Sequence, residues 1–332
     1  MPIPLLFLGA AAGIFGVGKS IKAGIDQKDA NDINDDAERI VKEASEKIET
    51  CRDNCGTAIE DLGLCKIHIL DESIKVFVNE YDKLRDVTLS ESQGLNELQK
   101  MSLDENNFSE LKELQSMASS MITGAASGAM AGAITAFGAY GAVSALATAS
   151  TGTAIASLTG AAATNATLAF LGGGTLAAGG LGITGGTAVL GGLVAGPALA
   201  VLGVVVGAQA SANKEKAYSN LCKANEFKEE MDAAASMCME IRKRANMCRR
   251  FLLSLNSLFE PLVWDMTKII RDKGTDFRTY SENEKKTIAE AMSTAKAIKT
   301  IIDTPILNDE GNLAVESEKI IDRIKEKTKN NM

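Results

Sequence analysis

The sequence predicts an all-α protein: a long antiparallel helical stalk, coiled-coil-like, carrying a Gly/Ala-rich apolar helical hairpin. Three observations lead there. Two long stretches place apolar residues at steps of three and four, the spacing that lines one face of a helix. Between them, residues 114–213 hold no Asp, Glu, Lys, Arg or His, although the 332-residue chain carries 43 acidic and 35 basic residues. Finally, five Pro and few aromatics are too little turn and strand material for a β-sandwich.

The chain divides into five segments. Residues 1–30 open with MPIPLLFLGAAAGIFGVG, uncharged as far as Lys19. A secretory signal carries its positive charge ahead of the apolar core, whereas Lys19 and Lys22 follow it here. Eighteen residues are at the short limit for spanning a bilayer. Gly9 and Gly13, four apart, suit a helix packed closely on other Gly-rich helices.

Residues 31–113 form the first stalk segment. Ile33, Ala37, Ile40, Ala44, Ile48, Cys51, Cys55, Ile59, Leu62, Ile74, Phe77, Tyr81 and Leu84 trace its seam. Gly56 and Gly63 weaken the middle and predict a bend. Residues 88–106 read as polar and turn-like, and a short amphipathic stretch at 107–117 leads into the uncharged block.

Residues 214–280 supply the partner. Met231, Ala234, Cys238, Ile241, Ala245, Cys248, Leu252, Leu255, Phe259, Leu262, Met266 and Ile269 alternate steps of three and four. Pro261 predicts a kink or break near Phe259. Two helices of about 55 residues, roughly 80 Å each, flanking one central segment predict antiparallel pairing with that segment at the tip. Residues 281–332 hold two further helices. The first is opened by a Ser281–Glu284 capping box, and the second follows a turn at 304–311 and runs to about Thr328.

The uncharged block, 114–213, contains 20 of the chain's 30 Gly. Gly124, Gly128 and Gly132 recur every four residues with Ala around them, a ridge that permits close helix contact. Thr187 to Gly207, with Val204 near one end, is long enough to span a bilayer core of about 30 Å. Two exposed helices without charge make a poor water-facing surface. The block therefore either meets lipid in some state, or stays buried under its own helices or an oligomer.

Several function classes are disfavoured. A net charge of −8 is wrong for a nucleic-acid binder. A single His, His68, leaves no histidine-based metal site or Ser–His–Asp apparatus within one chain. Six Cys are too sparse for a disulfide scaffold. Cys51, Cys55, Cys238 and Cys248 fall on the helical seams, where reduced thiols pack as small hydrophobes, and Cys51–Cys55 lacks nearby ligands for a metal. Neither metal nor cofactor is expected.

Residues 13–20, Gly-Ile-Phe-Gly-Val-Gly-Lys-Ser, match G-x-x-x-x-G-K-[ST] literally. In the nucleotide reading, Gly13 and Gly18 shape a phosphate loop, Lys19 neutralises charge and Ser20 holds Mg²⁺. Ile67-His68-Ile69-Leu70-Asp71-Glu72 even resembles a metal-holding strand. No alternation of strands and helices surrounds the match, however, and a helix end with its first interfacial Lys explains it as well.

The stretches Ala163–Gly174 and Gly185–Ala198, the MPIPLLFLG start and the Asp303-Thr304-Pro305-Ile306-Leu307 turn resemble a broadly distributed family of uncharacterised bacterial proteins. That resemblance implies no activity. In layout alone the chain is similar to α-helical pore-forming toxins of the cytolysin A and haemolysin BL type, which hold a hydrophobic segment between long helices. The expectation is a non-enzymatic protein, cytoplasmic and conditionally or peripherally associated with the bacterial inner membrane. Its partners would be lipid and either its own copies or another helical protein. The alternatives are a soluble coiled-coil scaffold with a permanently buried hairpin, and a nucleotide-driven machine using Lys19.

Overall fold

The computed structural model describes residues 26–85, 87, 104–125, 131–141, 214–308 and 313–320. These residues are helical almost throughout and contain only isolated bridges in place of strands, so the fold is all-α. The helices are α1 (Asp26–Ile69), α2 (Lys75–Tyr81), α3 (Glu105–Ala125), α4 (Ala131–Tyr140), α5 (Lys214–Lys273) and α6 (Glu282–Asp303). One π-helical turn, Leu70–Ile74, joins α1 to α2 and buries Leu70, Ser73 and Ile74. Residues 315–320 form a last helical stretch, and the rest of the expected C-terminal helix lies outside the described residues.

Two compact units share the long helices. The first takes α1 as far as Thr57 and α5 as far as Arg242. Its core is a two-sided seam: Ala37, Val41, Ala44, Ile48 and Cys55 face Ala224, Met231, Ala235, Cys238 and Ile241, all buried. Asn220 Nδ2 donates to Asn34 Oδ1 at 3.0 Å, and Lys47 pairs with Asp232 at 2.7 Å. Both pairs advance together along the two helices, so α1 and α5 run parallel.

The second unit independently gives the same polarity. Asp61 pairs with Arg249 at 3.7 Å, and the rings of Phe77 and Phe259 lie 5.5 Å apart. Just beyond both helices, Arg85 N donates to Thr275 O at 2.9 Å and Phe277 N donates to Arg85 O at 3.2 Å. The antiparallel stalk expected from the sequence is therefore corrected to a parallel pair. An apolar seam fixes which face is buried but not which way the partner points. With α5 starting beside the start of α1, the two helices do not meet the connecting chain at one shared tip, and most of the expected hairpin, 114–213, lies outside the described residues.

The return path in the second unit is partly α3, which runs antiparallel to α1 and α2. Ser119 Oγ donates to Asp71 Oδ1, Lys112 pairs with Asp82 at 2.8 Å, and Phe108 packs on Phe77 and Tyr81. α3 continues to Ala125, well past the short helix expected at 107–117. α5 ends at Gly274, whose φ of +85° supplies the left-handed cap. A 3₁₀ turn at Phe277–Thr279 then aims α6 back through the bundle. The Ser281–Glu284 capping box forms as the sequence indicates, with Ser281 N donating to Glu284 Oε2 at 2.8 Å.

Two further expectations change. α5 is unbroken through Pro261, which is exposed on the helix surface. Its seam also rotates by one residue late on: Val263 and Ile270 are buried, while Leu262 and Ile269 are only half-buried. A straight 3.6-residue helix drifts against a seven-residue repeat, so the buried stripe migrates around it.

Candidate functional site

Of the site residues read from the sequence, Gly13, Gly18, Lys19, Ser20, Gly128 and Val204 lie outside the described residues. Gly124 falls in α3 and Gly132 in α4. A close approach of two helices is visible at another glycine pair, Gly63 of α1 and Gly138 of α4. A Cβ on Gly63 would sit 2.1 Å from the Ile134 carbonyl oxygen, and one on Gly138 would sit 2.1 Å from that of Ile59. The two helix backbones thus touch directly, which only glycine at both positions allows. Gly63 was expected to bend α1; it is instead half of a docking seat for α4.

α4 is AGAITAFGAY, entirely uncharged, and it buries Ile134, Phe137, Ala139 and Tyr140. A ten-residue helix leaves its last carbonyls unpaired unless other groups reach them. Here each is met. Gly141, at φ +67°, donates its N–H to Phe137 O at 3.1 Å. Ala139 O accepts from Ile306 N and Leu307 N at 2.7 and 3.0 Å. Lys66 Nζ donates to Phe137 O and Gly138 O at 3.3 and 3.5 Å, and lies 5.4 Å from the Phe137 ring centroid. A cation at the negative end of a helix is favourably placed.

Lys66 is wholly buried. Burial pulls its pKa down to about 8, against the upward pull of Cys248, Asp303 and Cys65. Asp303 closes the far side of the seat, its backbone oxygen 2.7 Å from where a Gly141 Cβ would lie. Burial pushes the Asp303 carboxyl up, although Lys299 holds Oδ2 at 2.6 Å. Its Oδ1 is buried with no hydrogen bond among the described residues. Burial works against the Lys299 ammonium too, but hydrogen bonds to Asp303 and to Glu110, the latter at 2.7 Å, raise its pKa on balance. The seat therefore joins α1, α3 and α6 around one end of an uncharged helix.

Sequence reasoning passed over Lys66. The signal was available: a lone Lys among Cys65, Ile67, Ile69 and Leu70. Its partners are backbone oxygens 71 and 72 residues away, which no local pattern discloses. No family model, curated protein or solved structure matches the chain.

Proposed function

We propose that this chain is a non-enzymatic helical protein that associates conditionally with membranes through residues 114–213. The seat on α1, α3 and α6 holds the leading part of that block in a shielded state. The observation that carries the proposal is the hundred-residue absence of charge, of which α4 is a described piece packed against the protein's own helices. α4 alone, at roughly 15 Å, is far shorter than a bilayer core. Among the described residues no helix is long and apolar enough to cross a membrane. Lipid contact thus falls to the remainder of the block, including Val204, with the Gly124, Gly128 and Gly132 ridge governing assembly with further copies or a helical partner. Peripheral association at a cytoplasmic membrane face fits a chain whose charges all lie outside the block.

A second reading, a scaffold whose hairpin never leaves its shelter, draws support from the backbone contact at Gly63 and Gly138, which is tight enough for permanent packing. Flotation with anionic liposomes at neutral and acid pH separates the two. The first reading expects the protein in the lipid fraction, less of it for Gly128→Leu, and least for Val204→Arg. A charge at the middle of a span costs about 2.5–3.5 kcal/mol, and Val204, nearer one end, bears part of that cost. A wild-type protein that stays wholly at the bottom of the gradient at both pH values establishes the scaffold instead.

A further inference from the structure

In the second unit, one face of α5 carries a stripe that the bundle leaves outside. Phe259, Val263, Met266 and Ile270 are buried, and Phe259 packs on Phe77 of α2. On the opposite side, Leu253, Pro261 and Trp264 are exposed, Leu253 by 48% and Trp264 by 66%. Leu258, 63% exposed, stands at the edge of the same side. Single exposed apolar residues are ordinary, but two Leu, a Pro and a Trp between positions 253 and 264 of one helix make a patch.

The charges on this side are of one sign. Lys243, Arg250, Lys268 and Arg271, all exposed, fall with Leu253, Pro261 and Trp264 within about 80° of the helix circumference, counted at about 100° per residue. Acidic residues keep to the margins. Glu260 accepts from Asn256 Nδ2 at 2.7 Å, Asp272 accepts from Arg271 Nε at 3.0 Å, and Asp265 lies on the far edge beside Leu258. The bond to Asp272 occupies one of the five N–H groups that Arg271 carries. A basic stripe stands out in a chain of net charge −8.

We propose that this face of α5 is the surface by which the folded protein first lies on an anionic lipid bilayer. Leu253, Pro261 and Trp264 enter the headgroup layer, while Lys243, Arg250, Lys268 and Arg271 meet lipid phosphates. The proposal rests on the membrane association proposed above and adds to it: deeper insertion stays with the uncharged block, and the first contact falls to the stalk. The pairing of residue types fits that occupant. An indole is apolar in body and polar at its N–H, which suits it to headgroup depth. Lys268 Nζ lies 5.8 Å from the Trp264 ring centroid, so its stem runs beside the ring and its ammonium remains available to a phosphate. Basic side chains near an anionic surface add attraction that salt screens. Because its other face is already fixed in the core, the stripe meets lipid without a folding step.

Trp264 is the chain's single tryptophan, so the unlabelled full-length protein reports on this face directly. The probe is vesicles of phosphatidylglycerol with phosphatidylcholine, compared with phosphatidylcholine alone. With the anionic vesicles at low salt, Trp264 emission is expected to move to shorter wavelength and to be quenched by lipids brominated near the headgroup. Both effects should shrink several-fold in neutral vesicles or at high salt. Arg250→Glu with Lys268→Glu should lower the floated fraction several-fold with helicity unchanged, and Trp264→Ser should lower it as well. Val204→Arg, which changes only the block, should keep the emission shift in whatever fraction binds.

A wild type that floats while Trp264 emission stays put and the double charge reversal floats equally overturns the inference and leaves the block as the contact. Flotation and emission shift both undiminished in Val204→Arg support the inference and count against the block. A wild type that neither floats nor shifts ends both readings. A shift that grows with protein concentration in the absence of vesicles gives the face to a second copy. An equal shift with soluble polyglutamate gives it to an acidic protein. Either result overturns the lipid assignment.

Discussion

Replacing Gly138 with Ala should unseat α4, and the size of the effect follows from the contact. The new methyl would lie 2.1 Å from the Ile59 oxygen and 3.0 Å from the Gly63 nitrogen. A carbon and an oxygen rest more than 3 Å apart, so the backbones must separate by about 1 Å, and neither can rotate away. Overpacking of this kind costs about 2 kcal/mol. Lys66 already reaches the Phe137 and Gly138 oxygens at 3.3 and 3.5 Å, and further separation breaks at least one charge-assisted hydrogen bond, worth about 2 kcal/mol. Ala is the better helix former by about 1 kcal/mol, which leaves a net loss of about 3 kcal/mol. Gly56→Ala is the matched control: it also lies within a helix, nothing stands within 4 Å of its Cβ position, and it should stabilise by about 1 kcal/mol. Urea unfolding followed by circular dichroism reads both variants. If Gly138→Ala is as stable as the wild type, or moves the same way as Gly56→Ala, the seat is not the close contact described. If the seat also shields the block from lipid, Gly138→Ala should float with liposomes more readily than the wild type.

Two further outcomes test the same architecture. Leu252 is fully buried on α5, so Leu252→Asp should cost about 4 kcal/mol and recover part of that in acid, where the carboxyl takes a proton; a chemical-denaturation midpoint that does not move would remove Leu252 from the core. Lys66, held near 8 against an ordinary 10.5, binds its proton more weakly when folded, so its penalty is full below pH 8 and lifts as pH rises toward 10.5. Cys65, Cys248 and Tyr81, whose folded pKa values are raised, act oppositely at high pH. Comparison with Lys66→Met isolates the lysine: its stability relative to that variant should rise by about 3 kcal/mol between about pH 7 and pH 10.5, and a flat difference would mean that Lys66 is solvated.

The helical fold and its buried faces were legible because helical periodicity is a local property. Ile48, Cys55, Ile59 and Leu62, with Cys238, Ile241, Cys248 and Leu252 opposite, are buried where the spacing puts them. The Ser281–Glu284 cap was equally local. Polarity was not legible, because the same seams serve a parallel or an antiparallel partner, and a flanking layout favours the antiparallel one. The seat escaped for a related reason. A glycine shows in the sequence only the absence of a side chain, and whether that absence marks a bend or a contact depends on the helix opposite. Gly63 looks like a bend in the sequence and is a contact in the fold. The four-residue ridge through Gly128 lies partly outside the described residues, so it neither gains nor loses from this.

Parallel pairing also sets a schedule for folding. Contacts of α5 with α1 and the π-helical turn after it close loops of about the same length throughout, 186 residues at Asn34, 185 at Lys47 and 187 at Ser73. Closing the first of them costs about 5 kcal/mol of chain entropy, and the later ones, in the same register, add little. The pairing is therefore slow to begin and cooperative once begun. On a ribosome adding roughly 5–20 residues per second, α1 waits some 10–40 s for its partner. During that interval its apolar seam lacks α5, and the whole uncharged block is made. A nascent chain of this design depends on something else to cover those surfaces first, and α3 and α4, which follow α1 closely in sequence, are the earliest cover it makes for itself.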